Sequence, residues 1–578
     1  MNDELLRETQ ESFIEIFKKN MIDKVKILNN PNTQVFIYLS IYLLNQIRLI
    51  LKGGTTWDDL ALVETTPRII HKFELFFTDS NNPFLSEFVS NFEFYGYLVL
   101  IPTYLFSNNS FVVSSLSYVF NNLLSINLIN TKDLEYILRH IFLNFYLVFS
   151  LFFIYKLYSK MSDKQRGLKF IILLSFMPIV SGHSLFNLKD IPFMIQNLFV
   201  ALFFIKYLLK FEESNFYDQF NLGLFFGFLF LVRFNGIAFL FIYYLFSFLY
   251  LDKNYITIKR NIINWIKITL TSLIVLFIGT PSSWQKPKLW IEKAIETQFT
   301  LYWDSYVLTN GKFIFALDVD PFYLLTWFYF KLPIIFHISL IISLFLIMKN
   351  LILKNTNFEV FFIFSLYFIF FIFSSFMILR PVAYDGVRQY LFIIPFFVFI
   401  VVECLNSINL SKYKSLSTFL VIILYLSLTQ AGLGPYKYVY FNEFTNIESI
   451  TLDCDDVGGC GDWQTDYWGY SGKELINNIN NDFEGSLYIC SPSHVFSTYL
   501  NNDKVKIISN DSSERIDILN NHDGEFYLAY LHRPMLLNDT CGFKKSSIDV
   551  VCEDFVVQKT KLRSEIINLS YIDKCIKN

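Results

Sequence analysis

The stretch VFFIFSLYFIFFIFSSFMIL, Val360–Leu379, carries no charged residue. It meets the ~20 apolar residues that a helix needs to cross hydrocarbon. No water is available there to bond backbone N–H and C=O groups, so the run must be helical, whatever the strand preference of its Phe and Ile. Leu222–Leu251 (interrupted by Arg233), Ile334–Met348 and Leu391–Val402 are runs of the same kind. Over all 578 residues, 53% are hydrophobic and 17% charged, against about 25% charged in a typical soluble chain. The chain therefore reads as a polytopic α-helical membrane protein, and a soluble globular enzyme is excluded.

Spans are expected near 35–51, 138–157, 168–181, 192–209, 220–233, 236–251, 264–280, 326–348, 358–379, 390–405 and 417–432. That is eleven, or thirteen if the apolar stretch 95–127, broken by Pro102 and Asn108-Asn109-Ser110, crosses as a hairpin. Either odd count puts the two ends of the chain on opposite sides. The turns with Lys156/Lys160/Lys164/Arg166, Lys206/Lys210, Lys253/Lys259/Arg260, Lys349/Lys354 and Lys412/Lys414 are basic and belong inside by the positive-inside rule. Residues 1–34 are then a cytoplasmic arm. Residues 35–432 form a membrane domain with long outer loops at 52–93 and 281–325, and 433–578 form an external soluble domain.

Six of the seven cysteines (Cys454, Cys460, Cys490, Cys541, Cys552, Cys575) follow residue 450, which suits an oxidising compartment. Short spacing favours Cys454–Cys460 and Cys541–Cys552 as disulfides. No pair has zinc-ligand spacing, and no metal or other cofactor is expected. In the tail, Gly485–Cys490, Val505–Ile508, Glu525–Leu531 and Ile548–Val551 read as strands. Lys473–Ile479 and Val495–Leu500 read as helices, which makes a small α/β domain. The first thirty residues show no cleavable signal. With a net charge of −3 and no basic block, a nucleic-acid partner is set aside.

The polar groups that this topology collects on the outer face suggest chemistry. Asp58-Asp59 follows the first span at once, and a carboxylate there can serve as a general base toward a hydroxyl. The competing reading is helix capping, with Glu64–Arg68 as an ordinary i,i+4 pair. His183-Ser-Leu-Phe-Asn187-Leu-Lys189-Asp190-Ile-Pro-Phe193 is a polar island, where Asp190 can cap the next helix and Lys189 can hold a phosphate or snorkel. Arg380-Pro-Val-Ala-Tyr384-Asp385-Gly386-Val-Arg388 is a second island; Arg grips phosphate bidentately, or pairs locally with Asp385. Arg233 interrupts an apolar run, and intramembrane charge is a functional sign by default. Asp318-Val-Asp320 matches a D-x-D, and Asp453, Asp455 and Asp456 read as a solvated loop. His71, His140, His337, His494, His522 and His532 show no ligand spacing and read as structural.

An inside N-terminus, one span and then an acidic pair resembles the GT-C membrane glycosyltransferases. Trp57-Asp58-Asp59 with Glu64 and Arg68 is similar to the W-x-x-D-E…E-x-x-R stretch of the aminoarabinose and protein O-mannosyl transferases. Asp59 stands where Glu is usual, and the spacing differs. The two islands, with Pro321-Phe-Tyr-Leu324 and Asp466-Tyr-Trp-Gly469, look like elements of the family-39 and RgtA-like transferases. The resemblance implies a GT-C fold, a polyprenyl-phosphate sugar donor, an inverting transfer, and Asp58 as base. The expected partners are that donor, membrane lipids and a glycan, lipid or protein acceptor, in a bacterial inner (plasma) membrane. A lipid-linked oligosaccharide polymerase or ligase shares this chemistry. A transporter or flippase would require inverted repeats and polar breaks at mid-membrane, which the sequence does not display.

Overall fold

The structure is a computed structural model that describes residues 30–88, 91–95, 97–119, 131–299, 306–352, 360–407, 412–450, 461–479, 483, 485–490, 492–500, 505–509, 524–532 and 550–577. The first helix, Pro31–Ile50, starts where Asn30 accepts a hydrogen bond from the Asn32 amide and Pro31 occupies the first turn, a favourable helix entry. Trp57–Thr78 follows. The stretch 95–127 holds two short helices, Tyr97–Ser107 and Ser110–Tyr118, of 11 and 9 residues. At 1.5 Å per residue neither of these two helices is long enough by itself to span ~30 Å of hydrocarbon; residues 120–127 of the stretch lie outside the described residues.

Among the described residues, five helices are long and apolar enough to cross a membrane: Lys132–Met161, Asp190–Leu209, Tyr255–Gly279, Val360–Leu379 and Arg388–Asn406. The expected span 326–348 is instead two helices, Tyr323–Lys331 and Ile334–Leu346, meeting at 113°. Pro333 lies at the break, where its ring and missing N–H end a helix. Pro178 likewise divides the expected span 168–181 into Lys164–Phe176 and Pro178–His183. Phe216–Val232, Phe234–Tyr250 and Lys414–Thr429 fall where spans are expected but are shorter than 18 residues. Length and apolarity alone thus give five spans, or six with the bent pair, against the eleven to thirteen expected.

Phe216–Val232 lies tightly on Tyr255–Gly279. A Cβ on Gly223 would meet the Ile268 carbonyl at 2.7 Å, and one on Gly227 would meet Val275 at 2.4 Å. One large apolar cluster runs through the helices and takes in Leu433, Tyr438, Phe441, Trp463 and Trp468, so the segments 433–450 and 461–470 pack as part of the helical core. A second cluster around Leu487, Phe496, Ala529 and Ile572 belongs to the α/β portion.

That portion is a five-stranded sheet. After a separate hairpin, β1 (Tyr306–Thr309) and β2 (Lys312–Phe315), come β3 (Gly485–Ile489), β4 (Val505–Ser509), β5 (Glu525–Leu531), β6 (Val550–Leu562) and β7 (Glu565–Lys577), in the order β4-β3-β5-β7-β6. β3 is parallel to β4 and β5, while β7 runs antiparallel to β5 and β6. Each of the four expected strands has a counterpart, but the fourth, β6, runs far beyond 551, and β7 was not foreseen. The antiparallel register sets Cys552 opposite Cys575, and these two form a disulfide. The expected Cys541–Cys552 pairing is therefore wrong, because strand register, rather than sequence spacing, decides which sulfurs meet. Cys490 is also disulfide-bonded. Cys454, Cys460 and Cys541 lie outside the described residues, as do Asp453, Asp455, Asp456 and His522.

Candidate active site

The acidic pair divides into two roles. Asp59 occupies the third position of the Trp57–Thr78 helix, and its Oδ2 accepts from the Thr56 amide at 2.7 Å and the Thr56 hydroxyl at 2.9 Å. His140 Nε2 lies 3.2 Å from the same oxygen. Capping is therefore the role of Asp59. Asp58, one residue earlier on the helix, turns away to the polar islands. Its Oδ2 lies 2.7 Å from Lys189 Nζ and 3.6 Å from Arg388 Nη1.

The first island is built around Asn187. Its Oδ1 accepts from the amides of Asp190 at 2.9 Å and Lys189 at 3.2 Å, so Asn187, and not Asp190, caps the Asp190–Leu209 helix. This frees the Asp190 carboxylate to take Arg233 Nη1 at 2.5 Å and Asn187 Nδ2 at 3.0 Å. Arg233 stands between the helices Phe216–Val232 and Ile237–Tyr250, where its extended backbone pairs with Tyr95. Tyr95 lies under both cations, 5.4 Å from Lys189 Nζ and 5.3 Å from the Arg233 guanidinium.

The second island turns Arg388 inward through Asp385 and Gly386, both at positive φ (55° and 69°). Gly386 is required twice over, since a Cβ there would meet Trp327 at 2.9 Å. Arg388 Nη2 pairs with Asp385 at 3.3 Å, and its guanidinium stacks on Tyr384 and Trp468 at 4.8 and 4.6 Å. The local pair and the long-range contact with Asp58 coexist. Arg380, at the other end of the island, is exposed.

A segment of the tail roofs the cluster. Asp466 folds it into a turn, accepting from the amides of Gly469, Tyr470 and Ser471 and from the Tyr438 hydroxyl. Burial raises the Asp466 carboxyl above its usual value, which these donors only partly offset. Gln464 then reaches Asp385 at 3.2 Å, Tyr467 reaches His183 at 3.3 Å, and the Trp57 amide donates to the Trp468 carbonyl at 2.8 Å. The tail also holds the first loop through Tyr499 to the Thr55 amide (2.7 Å) and His494 to the Thr56 carbonyl (2.8 Å).

Lys189, Arg233 and Arg388 thus face Asp58, Asp190 and Asp385, all at most 8% exposed. Burying ions costs several kcal/mol each and ion pairing roughly returns it, so such a cluster contributes little to stability and points to function. Arg233 Nε and Arg388 Nε are buried donors with no acceptor among the described residues. Burial alone would raise the Asp58 carboxyl, but Lys189, Arg388 and Arg233 outweigh it and hold the group below its usual value. Arg233 also lines a cavity of about 360 Å³ whose other walls are largely aromatic and aliphatic, with Phe193, Phe239, Phe376 and Phe392 beside the polar Asn235 and Gln389.

The remaining sequence candidates lie elsewhere. Asp318 and Asp320 are exposed, and Asp320 accepts from the Phe322 amide in a turn. Arg68 approaches Glu93 at 3.8 Å instead of Glu64, because the buried Lys72–Glu93 pair draws the segment 91–95 onto the helix. Sequence reading missed Tyr95, Gln464 and the bond between His140 and Asp59, and it picked out Tyr467 and Trp468 only within the stretch Asp466–Gly469, with no role at this cluster. These residues lie 37–410 positions from Asp58, and nothing in the local sequence ties them to it.

No family model matches the chain, and no curated protein matches it. Among solved structures it is similar to ArnT from Cupriavidus metallidurans bound to undecaprenyl phosphate, at 10% identity over 93% of this chain and 98% of that one, with a TM-score of 0.40. The apo state of the same protein aligns at 10% identity over 94% and 97% of the two chains, with a TM-score of 0.43.

Proposed function

We propose that this chain is a GT-C-type membrane glycosyltransferase that moves a sugar from a polyprenyl-phosphate donor to a glycan, lipid or protein acceptor at the outer membrane face. One observation carries the reading: three buried cations, two of them with donors that have no acceptor among the described residues, surround a buried carboxylate, and one of the three, Arg233, also lines a largely apolar cavity. A lipid phosphate needs that combination, with cations for its head and an apolar groove for its chain.

In this reading Asp58 takes the proton of the acceptor hydroxyl, whose oxygen attacks the anomeric carbon from the face opposite the phosphate. The bond between that carbon and the phosphate oxygen breaks, and its electron pair leaves on the phosphate, held by Lys189, Arg233 and Arg388. The configuration inverts. Before the donor arrives, Asp58 is neutralised by Lys189 and is a poor base. The incoming phosphate competes for Lys189 and Arg388 and so restores basicity to Asp58 when it is needed. Asp190 and Asp385 orient the two arginines, and Trp468 closes the site from above.

The test is incorporation of labelled sugar from polyprenyl-phosphate donors into envelope material by membranes holding the wild type or Asp58→Asn. Transfer should fall roughly 10²–10⁴-fold, while binding of undecaprenyl phosphate alone is retained. Near-normal turnover by Asp58→Asn would remove Asp58 as the base.

A further inference from the structure

The helix Phe216–Val232 has two ends with different surroundings. Its C-terminal end delivers Arg233 to the cluster described above. Its N-terminal end lines a separate cavity of about 570 Å³, with Phe216 and Gln219 on one wall and Tyr255, Lys259, Arg260, Ile263, Asn264 and Lys267 on the other. The helix has 17 residues, so the two sites lie ~25 Å apart along its axis. That is close to the thickness of a hydrocarbon core, and the cavity therefore sits at the membrane face opposite the Asp58 cluster.

Its chemistry is cationic, wet and lipid-adjacent together. Lys259, Ile263 and Lys267 recur every four residues and share one face of the Tyr255–Gly279 helix. Arg260 is engaged by Glu212 at 3.3 Å, and the nearby Asp218 by Lys206 at 3.0 Å. Among the described residues no carboxylate pairs with Lys259 or Lys267. Gln219 is 4% exposed, and its Oε1 accepts no hydrogen bond among the described residues. Around the mouth, Tyr255 and Ile256 are each 77% exposed and Phe216 60%. Beyond the mouth, the same helix is only 28% buried along its most apolar window, with Ile266, Leu270 and Ile274 facing outward.

We infer that this cavity binds the headgroup of an anionic glycerophospholipid. Lys259 and Lys267 take the phosphate, Gln219 accepts from a headgroup hydroxyl, and the acyl chains lie along the exposed face from Ile266 onward. Basic pockets at helix ends recognise anionic lipids in this way. A free phosphate would use the two lysines but leave the apolar face and Gln219 without a partner. Occupancy would also wedge the Phe216–Val232 and Tyr255–Gly279 helices together at the end remote from Arg233.

The experiment uses the full chain in nanodiscs of phosphatidylglycerol and phosphatidylcholine in equal parts, followed by native mass spectrometry of retained lipid. Wild type should retain phosphatidylglycerol selectively. Lys259→Gln/Lys267→Gln should lose about five-fold of that selectivity per cation, roughly 25-fold together. Both lysines are exposed, so the variant should melt with the wild type. The control Lys288→Gln/Lys293→Gln, on the exposed outer helix Pro287–Phe299, should leave retention unchanged. Equal retention by the Lys259/Lys267 variant, an equal loss in the control, or displacement of the lipid by inorganic phosphate would each overturn the inference.

Discussion

Lys189→Met removes one charge and keeps the length of the side chain. In the structure Lys189 Nζ lies 2.7 Å from Asp58, a Coulomb attraction of ~6 kcal/mol at an effective dielectric near 20. Most of that is offset by desolvation and by the neighbouring Arg233 and Arg388, so the net value of a charge-assisted contact to a donor phosphate is about 1.5–3 kcal/mol. Donor KM should therefore rise by roughly ten- to a hundred-fold. A second effect has a different signature. Asp58 keeps Arg388, at 3.6 Å, and the field of Arg233 but loses its nearest cation, and its depressed carboxyl moves up. A base with a lowered value works above that value and fails as pH falls through it, so the acid limb of kcat/KM should shift to higher pH in the variant. Initial rates against donor concentration in proteoliposomes, repeated across pH, measure both. A donor KM within two-fold of wild type together with an unmoved acid limb would refute the phosphate role and leave Lys189 as a plain counter-ion.

Asp59→Ala should cost about 0.5–2 kcal/mol of stability, as cap losses do, whereas Asp59→Asn, which can still accept from Thr56, should melt near wild type; thermal unfolding compares the two. Cys552→Ser opens a loop with a separation of 23 residues and should lower stability by up to about 3 kcal/mol, with thiol counting on denatured protein checking the pairing with Cys575. Lys437 is buried, which pushes its amine down from 10.5 to about 8. A depressed cation binds fewer protons folded than unfolded, so its contribution to stability is present above 10.5 and lost as pH falls to about 8; Lys437→Met should flatten this rise in melting temperature between those limits.

The helices were legible because lipid permits little else: an uncharged run such as 360–379 has one solution. The breaks at Pro178 and Pro333 were legible in principle, since proline ends helices, but apolar content alone runs straight through them. Both polar islands and the first-loop acids were visible as interruptions of apolar sequence, and the structure brings Asp58, Lys189, Asp190, Arg233, Asp385 and Arg388 into one cluster. The division of labour between Asp58 and Asp59 was not legible, because it depends on which carboxylate closes back on Thr56. Tyr95 could not be read at all, and Trp468 was visible only as part of the stretch Asp466–Gly469, without its place beside Arg388. Each matters through the face it offers to a cation from a remote segment, and aromatic residues are abundant everywhere in this chain. The pairing of Cys552 likewise depends on the register of β6 with β7, which a count of intervening residues does not contain.

The roof over the cluster joins the two extremes of synthesis. Trp57 leaves the ribosome early and Trp468 late, yet their backbones meet at 2.8 Å. Contacts of such separation form last, after the loop between them has been ordered. A nascent chain halted before residue 463 would carry Asp58, Lys189 and Arg388 without Gln464, Tyr467 or Trp468 above them, and their charges would stay open to water. The covered cluster therefore exists only once residues 464–468 have been made and folded back over it.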